Sequence, residues 1–274
     1  HEFDNGFELT SISAYRYEDW IYTNFDEDFT PFPIAESNTA ADGNHFSQEL
    51  RLASPENEKF NYVLGLYYLD QKIEGFGDAF INADIAFGGG GILTVRYDAD
   101  VDIQSYAAFA HGNYRLADDL EITAGVRYTK EDKDLDYMIA NTTPFFTNGV
   151  LVDSRSSSDL SPKVSLNWFA ADDVMIYGSY SRAFKSGGWN TDFIADVTVL
   201  PFDDESVDAF EAGLKSTVLD GRLRFNLTAF QSEHKDFQVF SQTPLPSGNG
   251  SILTVSNAAS LTSKGIEVET QFQA

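Results

Sequence analysis

The stretch "EAGLKSTVLDGRLRFNLTAF", Glu211 to Phe230, decides the fold class. Asp220-Gly221 is a favoured pair for a two-residue type I′ turn, because both central residues of that turn need positive φ. Such a turn sets Leu219 against Arg222 and Val218 against Leu223. Stepping outward pairs Leu214 with Leu227 and Ala212 with Ala229 on one face. The other face pairs Thr217 with Arg224, Lys215 with Asn226 and Gly213 with Thr228. Turn chemistry and face pattern are independent signals, and both predict an antiparallel hairpin with one apolar and one polar face.

The same alternation recurs along the chain. In "DLEITAGVRYTKED", Leu120, Ile122, Ala124, Val126 and Tyr128 share one parity, and Glu121, Thr123, Gly125, Arg127 and Thr129 share the other. "SPKVSLNW" sets Val164, Leu166 and Trp168 against Lys163, Ser165 and Asn167. "KGIEVETQF" sets Ile266, Val268 and Phe272 against Glu267, Glu269 and Gln271. About ten strands follow, near 7–18, 46–53, 61–71, 102–115, 120–131, 160–169, 174–185, 206–218, 222–233 and 262–273. Their connections alternate in length. Short ones fall at Ser54 to Lys59, Leu116 to Asp119, Ala170 to Asp173 and Leu219 to Arg222. Long ones run from Asp19 to Asn44, Lys72 to Asp100, Glu131 to Asp159, Ser186 to Glu205 and Ser232 to Leu261, well above the usual loop length. Short turns on one rim and long loops on the other describe an antiparallel transmembrane β-barrel. A soluble two-sheet sandwich or β-helix is the alternative all-β reading.

Composition agrees with a barrel once alternation is taken into account. The mean hydropathy of −0.26 and 42% hydrophobic content look soluble, yet a barrel's alternating faces keep its average low. Aromatic residues make up 14% of the chain, with 23 Phe and 13 Tyr, which favours strands and interfaces. A net charge of −25 excludes nucleic acid as a partner, since phosphate recognition needs a basic surface. The absence of Cys excludes disulfides and thiolate metal sites. The opening "HEFDNGFELT" has neither the basic nor the apolar region of a signal peptide. No apolar run approaches the roughly 18 residues of a spanning helix.

The residues carry little catalytic chemistry. His1, His45, His111 and His234 form no HExxH-type spacing, and His111 falls on the polar parity of its strand. The run Gly88 to Gly91 lacks the Lys-Ser/Thr of a phosphate loop and reads as a flexible loop tip. No catalytic, cofactor or metal site is therefore expected. Glu49, Arg51, Glu121, Arg127, Lys163, Glu211, Lys215, Arg222, Arg224, Glu267 and Glu269 share the polar parity. A lipid-facing charge is costly, so these should face the lumen. They either form a cross-strand ladder of ion pairs or line a substrate path. The acidic excess sits in loops such as "FDEDF", "KEDKDLD" and "PFDDES", either as a solvated rim or as a seat for divalent cations or a cationic ligand. In "YGSYSRAFKSGGWN", Tyr177 to Asn190, a strand ends at about Lys185 and Gly187-Gly188 release it into a loop. Arg182 is on the apolar parity and should lie at or above a membrane interface. Arg182, Lys185, Trp189 and Asn190 are the candidate ligand-binding residues, with strand exit and loop packing as the plainer reading.

Seven stretches carry a resemblance: "SQELRLAS", "NYVLGLYYLD", "SYAAFAHGNYRLADDLEITAGVRYTKEDKDL", "SPKVSLNW", "DDVMIYGSYSRAFKSGGWN", "ESVDAFEAGLKSTVLDGRLRFNLTAFQSEHKDFQV" and "SNAASLTSKGIEVE". In this order they resemble the barrel of TonB-dependent outer-membrane receptors, especially the group of sphingomonad- and Caulobacter-like bacteria. The resemblance implies a barrel of about 22 strands around an N-terminal plug domain. It implies a Gram-negative outer-membrane location among lipopolysaccharide and lipid. It also implies active import of a small-molecule substrate: a ferric siderophore or similar iron complex first, otherwise haem, cobalamin or a saccharide. The TonB–ExbB–ExbD complex would drive import through the plug. About ten strands are half such a barrel, no plug is recognisable, and "VETQFQA" does not end on the family's closing aromatic residue. Residues 1–274 are thus expected to be an internal fragment of the barrel, not an enzyme. The competing readings are a self-contained ten-stranded outer-membrane protease of the omptin type and a soluble all-β binding module. The first needs Asp-Asp and Asp-His pairs that are not apparent.

Overall fold

The computed structural model describes residues 1–27, 30–194, 196–244 and 251–273. Ten long strands form one antiparallel sheet in chain order. They are β1 (Glu8–Asp26), β2 (Ala35–Ala53), β3 (Phe60–Asn82), β4 (Ile92–Ala117), β5 (Leu120–Asn141), β6 (Gly149–Ala171) and β7 (Val174–Lys185). The sheet continues through β10 (Glu205–Val218), β11 (Leu223–Pro244) and β12 (Ser251–Phe272). The two-residue strands β8 (Gly188–Trp189) and β9 (Pro201–Phe202) pair with each other inside the β7–β10 connection. A short helix, α1 (Ala83–Phe87), closes the β3–β4 hairpin, its first turn capped by Asn82. The sheet is open, with β1 and β12 at its edges.

The hairpin that decides the fold class has the expected register: Val218↔Leu223, Thr217↔Arg224, Leu214↔Leu227 and Ala212↔Ala229. Positive φ begins one residue earlier than a two-residue turn requires, at Leu219, and continues through Asp220 and Gly221. The four short connections lie on one rim and the five longer ones on the other, as alternation in length demands.

The strands are much longer than the alternation suggested. Four of the five expected long loops are largely sheet: β5 and β6, for example, extend to Asn141 and from Gly149, leaving only 142–148 between them. Residues 186–204 alone keep the character of a long loop. Part of the acidic "FDEDF", Asp28 and Phe29, lies outside the described residues.

The cause is an inversion of polarity along each tall hairpin. On β5 the outward parity is apolar from Leu120 to Tyr128, then becomes Lys130, Asp132, Asp134 and Asp136. The inward parity is polar from Glu121 to Lys133, then becomes Leu135, Tyr137 and Ile139. β4 inverts at the same level: outward Tyr106 to Leu116 lies below Asp98, Asp100 and Asp102, and inward His111 and Asn113 lie below Val95, Tyr97 and Ala99. The lower zone is therefore apolar outside and polar inside, and the upper zone is the reverse. Outward aromatic residues mark both limits of the apolar band. Tyr68 and Tyr106 stand 5.1 Å apart near its top, while Phe60 and Tyr114 stand 6.2 Å apart at its foot. Tyr106 and Tyr114 are separated by about 26 Å of strand, close to the apolar band height of about 25 Å in outer-membrane barrels. Trp168, Tyr128, Tyr114 and Phe272 are likewise exposed on this outward face.

Above the band, five carboxylates stand in register across five adjacent strands: Asp19↔Asp42, Asp42↔Glu74, Glu74↔Asp100 and Asp100↔Asp136. Lys72 meets this row at Glu74, at 2.8 Å. Burial and the neighbouring Glu74 push the Asp100 carboxyl above the usual range.

Candidate functional site

β7 and β10 have 12 and 14 residues, whereas their neighbours β6 and β11 have 23 and 22. β6 stops pairing with β7 above Lys163↔Ser181. Pro162 follows on β6 and has no N–H to continue a ladder. The wall therefore has a notch between two tall hairpins, and the 186–204 loop fills it from inside.

An apolar contact and a set of polar anchors hold the loop. Trp189, Ile194 and Leu200 bury against the inverted inner face of β4 and β5, on Val95, Tyr97, Ala99, Leu135, Tyr137 and Ile139. This is the buried hydrophobic cluster among the described residues. The Tyr97 ring lies over Gly77, where an added Cβ would come within 2.2 Å of the ring, so only glycine lets the tyrosine lie flat. Burial first, and then the Asp192 carboxylate, raises the Tyr97 phenol well above its ordinary value. Tyr137 is raised too, by burial and then by Tyr97 and Asp192.

The polar anchors join both sides of the notch. On the β5–β6 side, Lys133 Nζ donates to Ser186 Oγ and the Gly187 carbonyl, each at 2.8 Å, and pairs with Glu131 at 3.0 Å. Trp189 Nε1 donates to Asp153 at 2.9 Å, and the Tyr137 hydroxyl donates to the Asp192 carbonyl at 2.9 Å. On the β11–β12 side, Gln238 Nε2 donates to the carbonyls of Ser186 at 3.1 Å and Asp203 at 3.0 Å. The Asn190 amide donates to the Val255 carbonyl and accepts from the Val255 N–H, at 3.0 and 2.7 Å. Glu205 accepts from the Gln238 N–H at 2.9 Å and meets His234 Nδ1 at 2.8 Å. Burial raises the Glu205 carboxyl, but the Gln238 and His234 hydrogen bonds outweigh it, and the net shift is downward. At Gly187 an added Cβ would lie 2.4 Å from the Phe202 carbonyl oxygen, so the tight loop entry excludes a side chain.

Lys185 ends β7 at the entry of this loop, Trp189 is anchored on the β5–β6 side and Asn190 on the β11–β12 side, and Arg182 joins neither of them. Arg182 is on the outward parity, 3.3 Å from Asp159 and directly opposite Asp208, which also accepts from the Tyr180 hydroxyl at 2.8 Å. Trp189 is only 8% exposed and serves the loop's packing in this structure. Lys133, Tyr137, Asp153, Glu205 and Gln238 are not among the candidates, and all five fall within the expected long loops. The usable signal was the second, parity-shifted alternation of Leu135, Tyr137 and Ile139.

The expected cross-strand ladder of lumenal ion pairs is not what forms. Arg51–Glu49 and Lys133–Glu131 pair along single strands, and Arg155 of the inward face pairs with Asp203 of the loop instead of with a neighbouring strand. Arg127 instead lies over the Tyr67 and Phe109 rings at 5.3 and 5.7 Å, and Lys215 lies 5.3 Å from the Tyr177 ring centre. Gly65 opposite Phe109 and Gly213 opposite Tyr177 leave those two rings free to lie along the wall, where a cation can sit over them.

Comparison with known proteins fits this architecture. The ferric-pyoverdine BN7/BN8 receptor of Pseudomonas putida is 24% identical over 172 residues, covering 62% of this chain and 19% of that protein. The pesticin receptor of Yersinia pestis is 25% identical over 173 residues, covering 62% and 24%. The chain thus spans about a fifth to a quarter of these relatives. Among solved structures, the ferric yersiniabactin uptake receptor FyuA from Yersinia pestis superposes with a TM-score of 0.76 at 19% identity, over 97% of this chain and 37% of that one. The siderophore receptor PiuA from Acinetobacter baumannii gives 0.73 at 17% identity, over 100% and 43%. The model of the TonB dependent receptor-like β-barrel family matches residues 1–273, and the chain belongs to that family.

Proposed function

We propose that this chain is the wall and mouth of a Gram-negative outer-membrane receptor that imports a scarce nutrient. A ferric siderophore or similar metal complex is the leading cargo, ahead of cobalamin or a saccharide. Energy would come from the TonB–ExbB–ExbD complex through a plug domain elsewhere in the polypeptide. The polarity inversion carries this reading: an outward apolar band with aromatic limits suits lipid, and the polar collar above it suits lipopolysaccharide and water. The named relatives are receptors for metal-loaded siderophores and for pesticin, which supports transport over catalysis.

In this reading the 186–204 loop narrows the mouth and contributes to substrate selection. Lys185 offers a cation at its foot, and Trp189 and Asn190 set the loop's position. Arg182 would act from the outer interface. The test is growth of an iron-starved strain carrying the full-length receptor as its sole uptake route, supplied with single ferric siderophores, cobalamin or saccharides. Rescue by a ferric siderophore is expected, with weaker binding in a Lys185→Ala receptor. Rescue by cobalamin or a saccharide alone would overturn the cargo assignment. Recovery of the intact receptor without detergent would overturn the membrane reading.

A further inference from the structure

The outward face of β3, β4 and β5 carries a recess beside the short-turn rim. Its volume is about 600 Å³, within the range of pockets that hold small organic ligands. The floor is built from small residues set in register between large ones. Ala110 lies between Leu64 and Val126, and Gly112 lies between Tyr62 and Ala124. Phe60 and Tyr114 close the foot. The floor cannot rise at Gly112, because a Cβ there would stand 2.9 Å from the Asn61 carbonyl oxygen and 3.2 Å from Tyr62 Cβ.

Lys59 and Tyr114 meet at the foot of the recess, and Tyr62 lines it one same-face pair higher. Lys59 Nζ lies 5.7 Å from the Tyr114 ring centre and, among the described residues, meets no carboxylate at ion-pair distance. The Tyr62 and Tyr114 hydroxyls have no hydrogen-bond partner among the described residues. A second recess higher on the same face, lined by Leu66, Tyr106 and Tyr128, differs in charge. Its cation, Lys130, is paired with Asp132 at 2.8 Å, and the carboxylate row stands above it. An anionic head group is therefore favoured at the lower recess and opposed at the upper one. An aromatic belt alone would give neither the recess nor this difference.

We propose that the lower recess holds an ordered anionic glycerophospholipid. One acyl chain would lie over Ala110 and Ala124, and the phosphate would rest on Lys59 and the two tyrosine hydroxyls. The inference rests on the membrane-barrel reading. It is tested by native mass spectrometry of the full-length receptor in detergent, titrated with phosphatidylglycerol or phosphatidylethanolamine. The wild type should retain one phosphatidylglycerol, with a preference of about fivefold over phosphatidylethanolamine from the single cation. Ala124→Leu or Ala110→Leu fills the recess with apolar volume, and each should lower retention of both lipids. Lys59→Gln should keep the lipid but remove the preference. Equal retention of the two lipids by the wild type would overturn the inference. So would undiminished retention by whichever filling variant still folds as a barrel. A detergent-dependent receptor that retains no phosphatidylglycerol would refute this site alone, whereas a receptor soluble without detergent would refute the membrane reading beneath it.

Discussion

The lower and upper halves of the β4–β5 hairpin use the same backbone ladder for opposite purposes. Below Tyr128 the outward side chains are apolar and the inward ones include Arg127, His111 and Glu121. Above Lys133 the inward side chains Leu135, Tyr137 and Ile139 are each 1% exposed, while Asp134 and Asp136 point outward. The strand does not change; the medium on each side does. Lipid outside and a wet lumen inside give one pattern. Water outside and a folded loop inside give the other. A hydrophobic core here marks where the chain covers its own lumenal face, and that place is the notch left by the short β7 and β10.

The largest expected effect tests the upper core. Tyr137→Ala removes a fully buried ring and the hydrogen bond to the Asp192 carbonyl. It should destabilise the loop by about 3–5 kcal/mol. Cleavage within residues 186–204 by limited proteolysis of the full-length receptor would report this, with the barrel still heat-modifiable on gels. If the loop stays protected, the apolar contact is not what holds it. Next comes the lower zone. Val164→Arg puts a charge on the outward face, where Val164 is 39% exposed. It should cost about 2–4 kcal/mol in a denaturant titration of the vesicle-reconstituted receptor. Asp134→Arg, on the same parity of the neighbouring strand but above the band, should stay within about 0.5 kcal/mol. Equal costs at the two heights would abolish the distinction between the zones.

How much of this was legible depended on which half was being read. The Asp220-Gly221 hairpin came out in register because turn and faces lie wholly within the lower zone, where one parity stays apolar throughout. The upper strands were read as loops because alternation was followed on one parity, and at Tyr128–Lys130 the apolar residues move to the other. Nothing in "KEDKDLDYMIAN" is unsuited to a strand; Leu135, Tyr137 and Ile139 simply alternate on the opposite face. Trp189 was conspicuous in the sequence, but its neighbours were not. Asp153, Lys133 and Gln238 are ordinary polar residues until the register brings them around one loop, and that convergence spans up to about half the sheet.

Acidity and alkalinity separate the loop's anchors from its core, with intermediate effects. The folded pKa of Glu205 is depressed, so its contribution is present above the ordinary glutamate value of about 4.3 and is lost as pH falls below it. The groups facing it are His234, the Gln238 N–H and Lys185. Its two hydrogen bonds are charge-assisted, and losing such a bond costs about 1.5–3 kcal/mol. Tyr97 and Tyr137 have raised pKa values, so their contribution is complete below about pH 10 and declines as pH rises above it. Hydrogen exchange of the 186–204 amides, corrected for intrinsic rate, should therefore be flat across neutral pH and rise at both extremes. Glu205→Gln should remove only the acid limb. Loss of protection near pH 6 would mean that some other group governs the loop.

The smallest effect probes the outward face of the upper zone. Asp100 stands between Glu74 and Asp136 in the carboxylate row, and like charges directly opposite across strands destabilise a sheet. Its raised carboxyl pKa has the same cause, repulsion from Glu74, added to partial burial. Asp100→Asn keeps the shape and removes one charge, so it should stabilise the hairpin by about 0.2–1 kcal/mol at low salt. The gain should shrink as salt rises, because these groups are near water and the screening length falls to about 8 Å at physiological ionic strength. Denaturant titrations at two salt concentrations, in the presence of a chelator, would measure it. A destabilised Asp100→Asn receptor would mean that the row contributes to stability as a charged array, and the upper outward face would then be more than a solvated collar.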